Sequence, residues 1–97
     1  MQKTLKLNIS GRVQGVWFRA TTKDVVDDFN IKRENKVTGY VKNLSDGSVE
    51  VLLQGDKEYL LQLKELIIVG PPASRVDMVN EEWGESNQNY SNFNIGG

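Results

Sequence analysis

"LKLNISGRVQGVWFRATTKDVVDDFN", Leu5 to Asn30, changes its hydrophobic period once, and that change decides the fold. Leu5, Leu7 and Ile9 alternate with Lys6 and Asn8, the twofold period of a strand with one buried face. From Phe18 onward, Phe18, Thr22, Val25 and Phe29 recur at three- and four-residue spacing, the stripe of an amphipathic helix. Between the two lie Gly11 and Gly15, and Arg19 follows the second glycine by four residues. The first unit is therefore strand, glycine-bearing loop, helix. The helix is expected to end near Asn30, a residue that tolerates the left-handed conformation wanted just past a helix.

Outward from this unit, Val37, Gly39 and Val41 share a face of a second strand that runs out at Asn43. "NLSDGS", Asn43 to Ser48, is turn chemistry, with Asp46-Gly47 a hairpin signal. Val49, Val51 and Leu53 make a third strand, and Leu52, apolar on the opposite face, suits a central position. Asp56 can cap a second helix with the stripe Leu60, Leu63, Leu66 and Ile67, ended by Gly70-Pro71-Pro72. Val76 and Met78 mark a fourth strand, Glu85 to Asn92 reads as loop, and Phe93 with Ile95 suggests a short last strand. The order β-α-β-β-α-β is that of a ferredoxin-like α+β sandwich. It predicts one domain over residues 1–97, with two helices on one face of a four- to five-stranded, antiparallel-type sheet. A crossover between the first two strands makes them parallel, so their C-terminal ends share an edge of the sheet. The loop from Gly11 to Phe18 and Asn43 become neighbours.

Composition bounds the chemistry. The chain has 97 residues, 38% hydrophobic and 26% charged, with a formal charge of −1, which offers no basic excess for nucleic acid or anionic lipid. It lacks cysteine and histidine, so thiolate nucleophiles, disulfides and the usual proton carrier near neutral pH are excluded. No apolar run near the N-terminus could form a signal or a membrane span, so a cytoplasmic protein is expected, probing no membrane. The N-x-[ST] sequons at Asn8, Asn43 and Asn89 then read as chance matches. Asp24, Asp27 and Asp28 do not converge on one point of a helix, so no metal site is expected.

Unpaired amides at a helix start, together with the aligned peptide dipoles, attract an anion. Glycine lets successive amides converge, and a guanidinium one turn into the helix could reach back to two oxygens. A two-glycine loop before a solvated surface arginine is the plainer reading of the same residues. Neither the Walker nor the dinucleotide glycine pattern is present. Asn43, likewise, could simply shape its turn.

"GRVQGVWFR", Gly11 to Arg19, resembles the signature of the acylphosphatase family. "GYVKNLSDGSVEVLLQG", Gly39 to Gly55, is similar to that family's second block, "GPPASRVDMV", Gly70 to Val79, to its Gly-Pro segment, and "FNI", Phe93 to Ile95, to its closing strand. The chain departs from the family pattern at "KRENKVTG", a longer turn after Phe29-Asn30-Ile31 that the topology puts at the edge opposite the loop. The charged runs Lys23 to Asp28 and Lys32 to Lys36 read as solvated faces. Trp17 fills the variable position of the signature, where burial is the more usual fate of a large aromatic and flanking of an acyl group the alternative.

The resemblance implies hydrolysis of small acyl phosphates to a carboxylate and inorganic phosphate, with no cofactor, by a free-standing monomer. A similar domain also begins larger carbamoyl-transfer maturation proteins, and a chain ending after one domain is expected to be the separate enzyme. The roles the resemblance implies are these. The backbone amides of Gln14, Gly15, Val16, Trp17 and Phe18, with Arg19, hold the phosphoryl oxygens, Gly11 shapes the loop, and Asn43 orients the attacking water. An amide is a poor base, so the water's proton is expected to pass to the substrate's own phosphoryl oxygen, with Asp46 the competing base. Two other readings share the fold: a non-catalytic small-anion-binding module, and an RNA-recognition domain, which would need a basic face and aromatics on the third strand that this chain lacks.

Overall fold

A computed structural model of the chain describes residues 2–85 and 88–96. Ser86 and Asn87, within the stretch expected to be loop, lie outside the described residues, as do Met1 and Gly97. The elements are β1 (Gln2–Arg12), α1 (Phe18–Asn30), β2 (Thr38–Asn43), β3 (Val49–Asp56), α2 (Lys57–Ile67), β4 (Arg75–Gly84) and β5 (Phe93–Ile95). The strands form one sheet in the order β4-β1-β3-β2-β5.

β3 pairs antiparallel with β1 on one side and with β2 on the other, so β1 and β2 run parallel with β3 between them. Their C-terminal ends share one edge, as the crossover requires. β5 joins β2 in parallel register, Gly39 opposite Phe93 and Val41 opposite Ile95, which makes the five-stranded sheet mixed. The alternating residues of β1 and β3, Leu5, Leu7, Ile9, Val49, Val51 and Leu53, are fully buried against the stripes of the two helices. Leu52 is buried on the other face, between Lys6 and Tyr40 in register, as its central strand demands.

Several expectations are corrected in detail. On α1 the buried stripe is Phe18, Thr22, Val26 and Phe29, with Val25 only packed against its edge. On α2, Leu60, Leu63 and Ile67 are buried while Leu66 is half exposed, because its position faces away from the sheet. Asp56 stands at the N-cap of α2 but makes no side-chain capping hydrogen bond. β4 forms where Val76 and Met78 mark it, though the two residues do not share a face. Ser10 pairs with Met78 and Gly11 with Val76, so Asp77 is an extra residue that shifts the register and turns Met78 outward.

α1 ends at Asn30 as expected, but not through a left-handed residue. Asn30 is helical rather than left-handed, and the C-cap residue Ile31 keeps right-handed dihedrals. The Asn30 side chain instead brackets the Val37 backbone: its Nδ2 donates to the Val37 carbonyl and its Oδ1 accepts from the Val37 amide, each at 2.9 Å. The charged run beyond it is not merely solvated. Arg33 donates to the Phe29 carbonyl and stacks 3.5 Å from the centre of the Phe29 ring. Lys36 donates to the carbonyls of Asn30 at 2.7 Å and Arg33 at 2.6 Å. Two cations thus satisfy carbonyls at the negative end of α1, where the helix dipole favours them. All of this lies a helix length, about 20 Å, from the N-terminus of α1.

Candidate active site

The connection from β1 to α1, residues 13–17, is built from alternating backbone signs. Gly15 has φ 73° and Trp17 has φ 69°, while Val16 between them keeps negative φ. Such alternation turns successive N–H groups toward one side, the geometry of an anion nest. Val13 and Val16 are buried and pin the loop to the core. Among the described residues, no N–H from Gln14 to Phe18 donates to a backbone carbonyl or a side chain of the loop's surroundings. Trp17 is the N-cap of α1, whose first turn holds no acidic residue, so the positive end of the helix dipole is uncompensated.

Gly11, expected to shape this loop, lies instead within β1 at the register shift. A Cβ there would collide with the Arg75 carbonyl of β4, so the glycine serves close strand approach as well as its φ of 129°. The loop itself begins only at Val13.

The loop is clamped to the β2–β3 turn. The Gln14 side chain donates to the carbonyls of Leu44 and Ser48, a role its sequence context did not signal. The turn closes through Leu44 and Ser48, whose backbone bond is 2.9 Å, and through Asp46, which accepts from the Ser48 amide at 2.9 Å and the Ser48 hydroxyl at 2.6 Å. The Ser48 hydroxyl and amide hold the Asp46 carboxyl below its usual pKa. Shaping of the turn thus falls to Asp46, and Asn43 is left over for something else.

Gly15, Arg19 and Asn43 line one cleft of about 390 Å³, with the exposed Trp17 and Ile95 of β5 at its rim. The cleft joins the two edges that the topology brings together. Within it, two groups lack partners. Arg19 makes no ion pair or side-chain hydrogen bond among the described residues, though half-buried beside the loop. The Oδ1 of Asn43 is buried and has no hydrogen-bond partner among the described residues. A buried carbonyl oxygen without a donor costs about 1–3 kcal/mol, so folding alone does not account for it. Asp46 does not line the cleft. Trp17, for which burial was the more usual expectation, is 80% exposed, because its left-handed backbone points the indole outward at the rim. Ile95, 45% exposed at the opposite rim, carried no sequence signal beyond its place in a trailing strand. Among the described residues there is no group of three or more His, Cys, Asp or Glu side chains arranged to hold a metal ion, and no helix is long and apolar enough to cross a membrane.

The acylphosphatase family profile matches residues 5–95. An acylphosphatase of Caldanaerobacter subterraneus subsp. tengcongensis is 41% identical over 95 residues, covering 98% of this chain and 99% of that one. Among solved structures, acylphosphatase from Bacillus subtilis superposes with a TM-score of 0.84 at 30% identity, covering 96% of this chain and 97% of the other. An acylphosphatase from Coxiella burnetii gives 0.82 at 33% identity, with 97% and 92% covered. With a profile spanning nearly every element and relatives matched end to end, the chain belongs to the acylphosphatase family and is an acyl phosphate hydrolase.

Proposed function

We propose that the cleft cleaves the carboxyl–phosphate anhydride of small acyl phosphates with the loop amides and Arg19 as phosphate cradle and Asn43 as water holder. The phosphoryl oxygens accept from the N–H groups of Gln14, Gly15, Val16, Trp17 and Phe18, and the Arg19 guanidinium takes two oxygens in its planar fork. These donors gain strength as charge gathers on the equatorial oxygens in the transition state, where stabilisation accelerates the reaction. The Asn43 Oδ1 accepts a hydrogen from the attacking water and aims its lone pair at phosphorus. The water oxygen bonds to phosphorus as the bond to the acyl oxygen breaks. That electron pair leaves on the carboxylate, one of the water's protons ends on a phosphoryl oxygen while the other stays on the attacking oxygen, and the products are carboxylate and dihydrogen phosphate.

The observation that carries this reading is the pairing, in one cleft, of an uncommitted arginine with an orphaned carboxamide oxygen. A module that merely binds anions needs the first and has no use for the second. The carboxylate alternative is disfavoured, since Asp46 spends its oxygens on Ser48, is made a weaker base by those bonds and stands outside the cleft. The reading keeps the enzyme monomeric, cytoplasmic and independent of metal and cofactor. The test is phosphate release from acetyl or benzoyl phosphate in excess chelator, alongside the sedimentation of the active species. Loss of turnover on chelation would overturn the metal-free mechanism.

A further inference from the structure

The geometry points to Trp17 and Ile95 as the site that selects the acyl group, favouring aromatic and bulky apolar acyl phosphates over small or anionic ones. The inference rests on the cradle described above, because only a phosphate anchored at the loop fixes where the acyl end emerges. With phosphorus held between the loop amides, Arg19 and Asn43, the remainder of the substrate must leave through the mouth of the cleft. The mouth is walled by the indole of Trp17 at the start of α1, by the Ile95 side chain of β5 and by Ala20. Phe93 is buried in the core, and Ile95, two residues on, lies on the same face of β5, the side on which α1 packs. The two large apolar groups therefore flank the exit from different elements.

Three observations distinguish this wall from ordinary surface. Trp17 is not part of the core, and its side chain makes no hydrogen bond or ring contact among the described residues. It is the only described non-glycine residue with positive φ, a conformation that disfavours bulky side chains and is seen mainly where function sustains it. Of the residues lining the cleft only Arg19 is charged, and the phosphate engages it, so a second anionic group on the acyl end finds no partner there. An aryl group can instead lay a face on the indole and an edge on Ile95.

The test compares benzoyl with acetyl phosphate. In Trp17→Ala the ratio of the two kcat/KM values is expected to fall about tenfold from that of the unaltered enzyme, whatever happens to the common rate, and Trp17→Phe to restore most of it. Ile95→Ser should lower the same ratio. A ratio unmoved in both Trp17→Ala and Ile95→Ser would overturn the assignment. Fluorine NMR of the 5-fluorotryptophan-labelled unaltered chain gives a readout apart from turnover. The Trp17 signal should shift with the phosphonate analogue of benzoyl phosphate and stay put with inorganic phosphate. If the analogue binds and shifts the Trp17 signal but neither substrate is hydrolysed, the acyl site stands and the catalytic reading falls. If both substrates turn over and the analogue binds without moving that signal, the acyl site falls alone.

Discussion

The Nε2 of Gln14 donates to the Leu44 carbonyl at 2.8 Å across thirty positions of sequence, and its second hydrogen to the Ser48 carbonyl at 2.9 Å. One amide thus ties the anion loop to the turn that follows Asn43. In Gln14→Ala both bonds vanish, and we expect a stability loss of about 1–2 kcal/mol in urea unfolding. The fall in kcat should exceed any rise in KM, because the loop amides remain while Asn43 loses its fixed position against them. A variant with unaltered kcat would show that the clamp serves folding alone.

Arg19 has no internal partner among the described residues, so its removal should separate activity from stability. Arg19→Ala is expected to lower kcat by about 10³–10⁵ while the unfolding midpoint stays within error. Arg19→Lys should recover only part, since an ammonium cannot span two oxygens as the guanidinium fork does. Steady-state kinetics and thermal unfolding of the three chains decide it.

Asn43 invites the opposite pairing of effects. Its buried Oδ1 is a standing cost in the free enzyme. Asn43→Ala should leave stability unchanged or raise it by about 1 kcal/mol, and lower kcat about 10²–10³ with the inhibition constant of inorganic phosphate little changed. Normal turnover in this variant would remove Asn43 from the mechanism.

Asp46 supplies an acid-side prediction. Its carboxyl is held below the usual value by the Ser48 hydroxyl and amide, so the folded state binds that proton less readily than the unfolded chain. The linked stability is present above the unfolded carboxylate pKa of about 4 and is lost as pH falls through the folded value. Asp46→Asn should flatten that part of the stability profile and keep turnover within a few fold. Loss of activity by several orders of magnitude would restore the carboxylate as base. On the alkaline side, burial and then the bond to Glu50, 2.7 Å, raise the Tyr40 pKa. That contribution is complete below about pH 10 and lost as the phenol ionises at higher pH. Tyr40→Phe should lessen the loss of stability on raising the pH beyond that point, read by denaturant titration.

Trp17→Gly removes an indole from a left-handed position. We expect a gain of about 0.5–1 kcal/mol, the relief of strain outweighing the added freedom of the unfolded glycine. A clear loss of stability would mean that the indole packs in solution.

Much of this architecture was legible because burial on one side imposes a period, and β1, α1 and β2 all bury one side, while the apolar Leu52 marks β3 as the central strand buried on both. Where the period failed, a local cause is visible. Asp77 shifts the register of β4 and separates Val76 from Met78, which a strand read by alternation cannot reveal. Asn30 spends its side chain on Val37 because the longer turn brings that backbone within reach, so its left-handed tolerance goes unused. At the site, the two edges could be brought together from strand order alone. The clamp of Gln14, the solitude of the Asn43 oxygen and the outward turn of Trp17 depend on side-chain directions and single dihedrals that leave no trace in composition or spacing.

The placement of β3 between β1 and β2 carries a last consequence. The proposed anion cradle follows one neighbour of β3 and Asn43 ends the other, so the strands that carry them stand two ladder rungs apart, about 9–10 Å. That spacing is fixed by the backbone ladder, and sliding a strand by one residue would invert every buried side chain, so the offset along the strands is held as firmly as the distance across them. Selection can retune the jaws on either side, but the span between them is set by the peptide backbone and changes only if the sheet itself is rebuilt.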